Sequence, residues 1–494
     1  MSRWPEHPVV YELNTAAWLQ DVGERSGAAT TLADVPPAEW DRVTPPGVDV
    51  VWLMGVWERS AAGVRLALES PDQVASFRAA LPDLRDDDVI GSAYCISGYQ
   101  AARRLGGRAG LAAARAALAE RGVRLLVDFV PNHVGPDHPW LTEHPEYFVH
   151  GTADDLARDP AGFLAVGDSV IARGRDPYFP PWPDVAQLNA FAPGLRRAAA
   201  DTLADIADQA DGVRCDMAML LRNEVFARTW GGRCGPVPAQ EYWTEVIGAV
   251  RAAHPDFVFA AEAYWDMEWD LQQLGFEYCY DKRLYDRLLH EGPASVRGHL
   301  DADVDYQRRL VRFLENHDEP RVAAELGPQA ERAAAVAVAT LPGATLWHEG
   351  QFEGWRVRLP VFLGRRPVEP VDEGLRAFHL ALLCTAAATR RGRWAPCPVT
   401  GWPDDQSCDQ LLSWCWTDGE SRTLVVVNDG DAVANARAHV PWDDLAGRAW
   451  RLDDRLTGEV FTRDGTEVAA DGLYVRLPPW GAHVLAWTAA DGGT

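Results

Sequence analysis

Four acidic residues stand at the ends of short apolar runs in this chain. The runs LLVDFV, GVRCD, FAAEAYW and FLENHD contain Asp128, Asp216, Glu262 and Asp318. A single aspartate after a strand is commonly a turn residue or a helix N-cap. Four acids in corresponding places, one of them two residues after Arg214, are better explained as parts of one site.

A cluster of carboxylates with few basic partners either binds a divalent metal or divides acid, base and nucleophile roles among its members. Cleavage of a glycosidic bond needs one carboxyl that protonates the leaving oxygen and one ionised carboxylate opposite it. Arg214 lies on the same side of its strand as Asp216 and favours the ionised form of that acid. Glu262 has the apolar setting AAEAY, and crowding by like charges favours its protonated form. Asp216 is therefore the candidate nucleophile, and Glu262 the candidate proton donor.

The elements that carry these acids alternate from about residue 8 to residue 390. Apolar runs such as HPVVYEL, VDVVWLMG and ATLWHEG alternate with helical candidates such as GRAGLAAARAALAERG, PGLRRAAADTLADIADQA and PQAERAAAVAVATL. About eight strand–helix repeats predict an α/β fold in which parallel strands close into a (β/α)8 TIM barrel. The carboxyl ends of the strands then meet on one face, so we expect the four acids around one opening.

Two segments interrupt this alternation. Residues 134–192 are rich in Pro, His, Asp and aromatics without a clear helix, which predicts an inserted functional lobe after the third strand. Residues 393–494 contain short strand-like runs separated by turns, which predict a C-terminal all-β sandwich domain. The catalytic barrel is accordingly predicted over residues 1–133 and 193–392.

Composition excludes several classes of partner. The 494 residues include 47 Lys and Arg against 72 Asp and Glu, a formal net charge of -25 that disfavours nucleic acid and anionic membranes. The N-terminal segment has no signal-peptide pattern and no apolar run approaches about 20 residues, so we predict a cytoplasmic protein. The eight cysteines form no CxxC pair and are expected to be buried thiols. The spacing of His133, His138 and His144 matches no metal-site pattern.

The motifs together resemble those of the α-amylase family, glycoside hydrolase family 13. DFVPNH, GVRCD, the glutamate of FAAEAYW and ENHD resemble its four signatures in the correct order, while QLNAFAPGLR and EGQFEG resemble two further motifs. The resemblance covers essentially the whole chain: the barrel, the lobe after the third strand and the C-terminal β domain.

The resemblance implies roles for the acids. Asp216 matches the nucleophile that forms a covalent glycosyl intermediate, and Glu262 matches the general acid/base. Asp318 matches the acid that holds the sugar's 2- and 3-hydroxyls. Arg214 matches the partner of the nucleophile, and Asp128 matches a supporting acid.

The resemblance also implies binding residues. His133 and His317 match histidines that bind the sugar, and Tyr94 in GSAYCISGY resembles a tyrosine that stacks on it; buried structural roles are the alternative for all three. The family requires no cofactor, and some members hold a structural calcium ion, for which Asn132 is the candidate ligand. Gln187 stands where the family has an Asp that would help to bind calcium. Asn132 is therefore equally well interpreted as a residue that only caps its turn.

The sequence departs from the family after the nucleophile. Met217, Ala218, Met219 and Leu220 replace polar residues that line an acceptor subsite in many amylases, which favours short or unusual acceptors. Gly98 stands where the family usually has Asp. The sequence thus predicts a retaining α-glycoside hydrolase or transglycosylase that acts on α-glucosides and maltooligosaccharides through a covalent glycosyl-enzyme intermediate. A non-catalytic carbohydrate-binding or scaffold protein and a metal-dependent hydrolase are the alternatives, and the oligomeric state is left open.

Overall fold

A closed barrel of eight parallel strands forms the centre of the molecule. The computed structural model of the chain describes residues 4–490. Each barrel strand pairs with its neighbours in chain order, and the last pairs with the first. The predicted fold class is confirmed by eight strands: Val9–Asn14, Val50–Met54, Arg124–Phe129, Gly212–Cys215, Val258–Ala261, Tyr278–Tyr280, Leu310–Arg312 and Ala344–His348.

The strand register brings predicted site residues side by side. Arg214 of the fourth strand is the pairing partner of Asp128 in the third. Cys215, the last residue of the fourth strand, pairs with Ala261, the last residue of the fifth. The next residues along the chain are the two reactive candidates, Asp216 and Glu262, which therefore emerge from adjacent strands at the same height.

Helices surround the barrel strands. The three helices predicted from periodicity span Gly107–Glu120, Pro193–Gln209 and Pro328–Thr340. The last two have proline in their first turn, where a helix needs no backbone N–H donor. The other barrel helices are Thr15–Ser26, Pro37–Val43, Ala61–Glu69, Pro71–Ala80, Asn223–Trp230, Tyr242–Ala253, Glu268–Gln273, Lys282–Asp286, Pro293–Leu300, Val304–Gln307, Val322–Glu325 and Glu373–Thr389.

The segment inserted after the third strand is mostly irregular. It contains one hairpin, Phe163–Val166 with Ser169–Ala172, and its two ends are joined by the antiparallel pair of His133–Val134 with Ala186–Gln187. The expectation of no helix is wrong, because short helices span Trp140–Glu143 and Ala153–Arg158. The second of these is nucleated by a capping box between Thr152 and Asp155.

The C-terminal region folds into β structure. A six-stranded sheet comprises Arg393–Pro396, Leu411–Asp418, Ser421–Asn428, Ala482–Ala489, Ala449–Asp454 and Val460–Asp464, and a three-stranded sheet comprises Val399–Thr400, Ala434–Ala438 and Leu473–Leu477. One helix that the strand pattern did not indicate spans Gly465–Asp471 and is capped by Asp464. The predicted domain limits at residues 1 and 494 lie outside the described residues, and the internal limits stay predictions.

Within residues 4–490, no helix is long and apolar enough to cross a membrane. All eight cysteines are unpaired thiols. The expectation that they are buried holds for seven of them and is wrong for Cys384, which is exposed on the outer face of a barrel helix.

Candidate active site

Arg214 lies at the centre of the candidate site. Its side chain is 1% exposed, and its Nη1 donates to Oδ1 of Asp216 at 2.7 Å. Its Nη2 lies 2.9 Å from Oε1 of Glu262, and Nη1 lies 3.8 Å from Oδ1 of Asp128. One guanidinium therefore holds three of the four predicted acids together at the carboxyl end of the barrel.

Aromatic rings enclose this guanidinium. The centroids of the Trp52, Tyr94 and Tyr280 rings lie 5.4, 5.1 and 5.7 Å from its Cζ. Such rings stabilise a cation through their quadrupoles and keep water away from it. The ion pairs of Arg214 therefore act in surroundings of low polarity, where they are stronger than at a surface.

Asp216 and Glu262 face a common space. The backbone N–H of Glu262 donates to the carbonyl of Cys215 at 3.0 Å, which fixes the two strand ends against each other. Since a single guanidinium contacts both carboxyls, their spacing is compatible with the separation of about 5–5.5 Å found in retaining glycosidases. The two acids that the sequence assigned to opposite roles are brought together.

Burial and the charge of Arg214 act in opposite directions on the pKa of both carboxyls. Burial raises the pKa of Glu262 to about 7, although Arg214 acts against the shift. Burial also raises the pKa of Asp216, and the charge and hydrogen bond of Arg214 oppose it. Glu262 additionally accepts hydrogen bonds from the Met217 backbone N–H at 2.5 Å and the Tyr264 hydroxyl at 3.1 Å. A carboxyl with a pKa near 7 can donate and accept a proton at neutral pH.

Asp318 lies in the loop after the seventh strand rather than at its end. The side chain of Asn316 accepts from the backbone N–H of Asp318 at 2.8 Å and forms the turn that presents this acid. The side chain of Asp318 is 48% exposed, whereas that of Glu262 is 3% exposed. Burial alone would raise the pKa of Asp318, but His317 lowers it to about 2. The cluster is thus open to solvent on the side of Asp318.

His317 connects this acid to a residue that the sequence analysis missed. Its Nε2 lies 3.0 Å from Oδ2 of Asp318 and 2.8 Å from the Tyr94 hydroxyl, while its Nδ1 lies 2.5 Å from Oε1 of Glu12. Glu12 is fully buried in the first strand. The only signal in the sequence is one acid inside the apolar run VVYELN.

Tyr94 and Asp128 form the wall beside these groups. The Tyr94 ring stacks on His317 with centroids 5.2 Å apart, and its hydroxyl donates to Asp128 at 3.5 Å. Asp128 is fully buried, accepts from the Gly55 backbone N–H at 3.0 Å, and has a pKa that burial raises. The structure therefore places both predicted residues against Arg214.

His133 lies at the junction between the barrel and the inserted lobe. Its ring packs on Trp182 at 5.1 Å and is hydrogen-bonded to the backbone of Tyr94. Burial lowers its pKa to about 4, so the ring is neutral at pH 7. Tyr94 therefore lies between His133 and the acid cluster, since its hydroxyl contacts Asp128.

The residues at the candidate calcium position do not fit a cation. Asn132 is 2% exposed, and both its carbonyl oxygen and its Oδ1 accept from Nε2 of Gln187 at 2.9 Å. A donor nitrogen thus occupies the point toward which the oxygens converge. In residues 4–490, no group of three His, Cys, Asp or Glu side chains could hold a metal ion.

The apolar residues after Asp216 do not line an acceptor subsite as a group. Met217 has a left-handed φ of 44°, and the following residues Ala218–Leu221 form a tight helical turn. Ala218, Met219 and Leu220 are buried in the hydrophobic core and present no side chain to an acceptor, and the preference for short or unusual acceptors stays a prediction. Only Met217 is partly exposed.

Known proteins resemble this chain in sequence and fold. No family model matches the chain. α-Amylase MalA of Haloarcula japonica is 25% identical over 441 residues, which are 86% of this chain and 56% of that protein. The α-1,4-glucan:maltose-1-phosphate maltosyltransferase of Burkholderia pseudomallei is 32% identical over 200 residues, 39% of this chain and 15% of that protein. The chain thus spans about half the length of MalA and less of the maltosyltransferase.

Solved structures share the whole architecture. The acarbose-complexed α-amylase of Geobacillus thermoleovorans has a TM-score of 0.69 at 17% identity and is matched over 99% of this chain and 100% of its own. The cyclic α-maltosyl-(1→6)-maltose hydrolase of Arthrobacter globiformis has a TM-score of 0.66 at 16% identity, over 98% and 100%. These structures establish the fold. The sequence likeness to an α-amylase and to a maltosyltransferase, together with the shared fold, supports assignment of the chain to the α-amylase family, glycoside hydrolase family 13.

Proposed function

We propose that the chain is a retaining α-glycoside hydrolase or transglycosylase that acts on α-glucosides and maltooligosaccharides. The observation that carries this proposal is the contact of one buried guanidinium, that of Arg214, with both Asp216 and Glu262. It holds two carboxyls close together at one opening, which is what double displacement at a sugar acetal requires.

In the first step, the Asp216 carboxylate attacks the anomeric carbon while protonated Glu262 gives its proton to the departing glycosidic oxygen. The bond to the leaving group breaks and an ester between sugar and Asp216 forms. In the second step, ionised Glu262 takes a proton from water or from a sugar hydroxyl, whose oxygen attacks the anomeric carbon. The ester bond breaks, and Asp216 and protonated Glu262 are restored.

The neighbouring residues are proposed to bind the sugar. Asp318 is the exposed acid of the cluster and is offered to sugar hydroxyls, with His317 beside it. Tyr94 provides a ring and His133 a neutral imidazole next to it. Asp128 is proposed to orient Arg214.

The names of the relatives support both outcomes of the second step. MalA is named an α-amylase, and the Burkholderia protein is named a maltosyltransferase. The fold neighbour from Geobacillus is complexed with acarbose. The proposal therefore covers hydrolysis and transfer, requires no cofactor, and places the chain in the cytoplasm, where eight unpaired thiols are stable.

Incubation with maltooligosaccharides, sucrose and trehalose, followed by proton NMR of the first anomer released, tests the proposal. We expect turnover of at least one α-glucoside with the α-anomer formed first, and none with Asp216→Asn. Release of the β-anomer first would exclude double displacement. Absence of turnover by the folded protein would favour a carbohydrate-binding scaffold, and loss of turnover in excess chelator would favour a metal-dependent hydrolase.

A further inference from the structure

The junction between the barrel and the inserted lobe is held by one glutamine side chain. Gln187 belongs to the strand by which the lobe returns, and this strand pairs with His133–Val134, just beyond the third barrel strand. Gln187 is 0% exposed. A buried side-chain amide has to satisfy its hydrogen bonds inside the protein, so its partners define what it does.

Every polar atom of this side chain has partners. Nε2 lies 2.9 Å from each of three oxygens: the backbone carbonyls of Asn132 and Leu188 and the Oδ1 of Asn132. Oε1 accepts from Nδ2 of Asn132 at 3.3 Å and from the backbone N–H of Arg175 at 3.4 Å. The two side-chain amides of Asn132 and Gln187 therefore form a reciprocal pair.

Three oxygens that converge on one point are typical of the ligands of a hard cation such as Ca²⁺. Here the point of convergence is occupied by Nε2 of Gln187. An amide nitrogen has two hydrogens to donate and no lone pair for a metal, so it shares its hydrogen bonds among these oxygens without a formal charge. The acid closest along the chain, Asp184, interacts with His133 and Arg173.

We propose that the Gln187 amide takes the position of a structural cation and holds the lobe to the barrel without a metal. The same interaction fixes Asn132, whose Nδ2 lies 3.3 Å from Nδ1 of His133. The amide pair thereby also determines the orientation of a predicted sugar-binding histidine. This proposal concerns stability and metal content and does not depend on the proposed activity.

Thermal unfolding of the full chain in a calcium chelator and in CaCl2, together with elemental analysis of the purified protein, tests the proposal. We expect the same unfolding midpoint in both solutions and sub-stoichiometric calcium. A wild-type midpoint that falls in chelator and recovers with CaCl2, or one calcium ion per chain, would overturn the proposal whether or not any variant folds.

Gln187→Glu provides the converse measurement. The substitution keeps the shape of the side chain but replaces the donor nitrogen by an oxygen that faces three others. The unfolding midpoint should therefore fall in chelator by about 1–3 °C. CaCl2 should restore part of this loss, because the carboxylate supplies the missing charge. A midpoint at the wild-type value, or one that calcium does not raise, would contradict the assignment of a cation position to the amide.

Gln307→Glu is the matched control. Gln307 is likewise 0% exposed, and its Nε2 donates to the carbonyls of Leu300 and Ala302 at 2.8 and 3.0 Å. Its Oε1 accepts from Arg312, so a cation already neutralises this position. The unfolding midpoint of the Gln307→Glu variant should be the same in chelator and in CaCl2.

Discussion

The carboxylate of Glu12 in the first strand contacts His317 after the seventh strand, with 2.5 Å between Oε1 and Nδ1. Because Asp318 lies 3.0 Å from the other ring nitrogen, the imidazole has a carboxylate on each side. Burial alone would lower the pKa of His317, but Asp318 and Glu12 raise it well above its ordinary value. His317 is therefore an imidazolium that holds Asp318 ionised.

Replacing Glu12 by Gln should lower the pKa of His317, because it removes one of the two carboxylates that raise it. A raised histidine pKa favours the charged ring in the folded state, and this stabilisation is lost as the pH rises through the folded pKa. NMR with ring-labelled histidine should show a charged His317 wherever the wild-type protein is folded and a neutral ring at high pH in Glu12→Gln. Glu331→Gln is the control, because it removes a buried carboxylate beside a different histidine, His379. An unchanged titration of His317 in Glu12→Gln would show that Glu12 only fills space.

Glu262 should set the alkaline limit of activity. With its pKa raised to about 7 by burial, the proton required in the first step is present below that pH and is lost above it. We expect kcat/KM to decline as the pH rises through about 7. Glu262→Gln should remove this limb and lower kcat by about 10²–10⁴-fold, measured with a substrate whose leaving group needs protonation. A pH profile that keeps its alkaline limb in Glu262→Gln would assign that limb to another group.

Arg214→Lys should destabilise the protein as well as inactivate it. A lysine cannot reach Asp216 and Glu262 at once, and leaving a buried charge without its partner costs about 3–5 kcal/mol. The free energy of unfolding in urea measures this loss. Arg108→Lys, at the exposed pair with Asp205, should change it by less than about 1 kcal/mol. Similar losses for the two variants would show that the central arginine contributes little to stability.

Exposed aromatics beside the candidate site should contribute to binding of longer substrates. Tyr178 of the inserted lobe is 59% exposed and its ring meets that of Trp265, three residues after Glu262, at 4.8 Å. If Tyr178 stacks on a sugar ring, Tyr178→Ala should raise KM for maltooligosaccharides by about 2–12-fold, from about 0.5–1.5 kcal/mol, with kcat unchanged. Tyr474→Ala, in the C-terminal sheets, is the exposed control. Equal effects of the two variants on KM would remove Tyr178 from the binding surface.

The contacts that follow from local spacing were predictable from the sequence. Two residues along a strand return to the same side, so Arg214 had to face Asp216. Parallel pairing had to bring the ends of the fourth and fifth strands together, and with them Glu262. These inferences need only strand geometry and the order of the strands.

Contacts across the barrel were not predictable in the same way. Nothing local distinguishes Glu12 from an exposed strand residue, since its partner lies 305 residues away. The burial of Met219 depends on the left-handed turn at Met217, a conformation that side chains other than glycine seldom adopt. The helix at Ala153–Arg158 could have been predicted from its capping box. That motif spans only four residues, too few to show helical periodicity.

The strand order of the barrel determines when this centre can come into existence. Glu12 and His317 belong to elements that lie on either side of the eighth strand, Ala344–His348. While the chain is still emerging from the ribosome, the barrel cannot close until its eighth strand, which ends at residue 348, has left the exit tunnel. The contact between Glu12 and His317 therefore forms late in synthesis, after the strands that carry Asp128, Arg214 and Glu262 have been made.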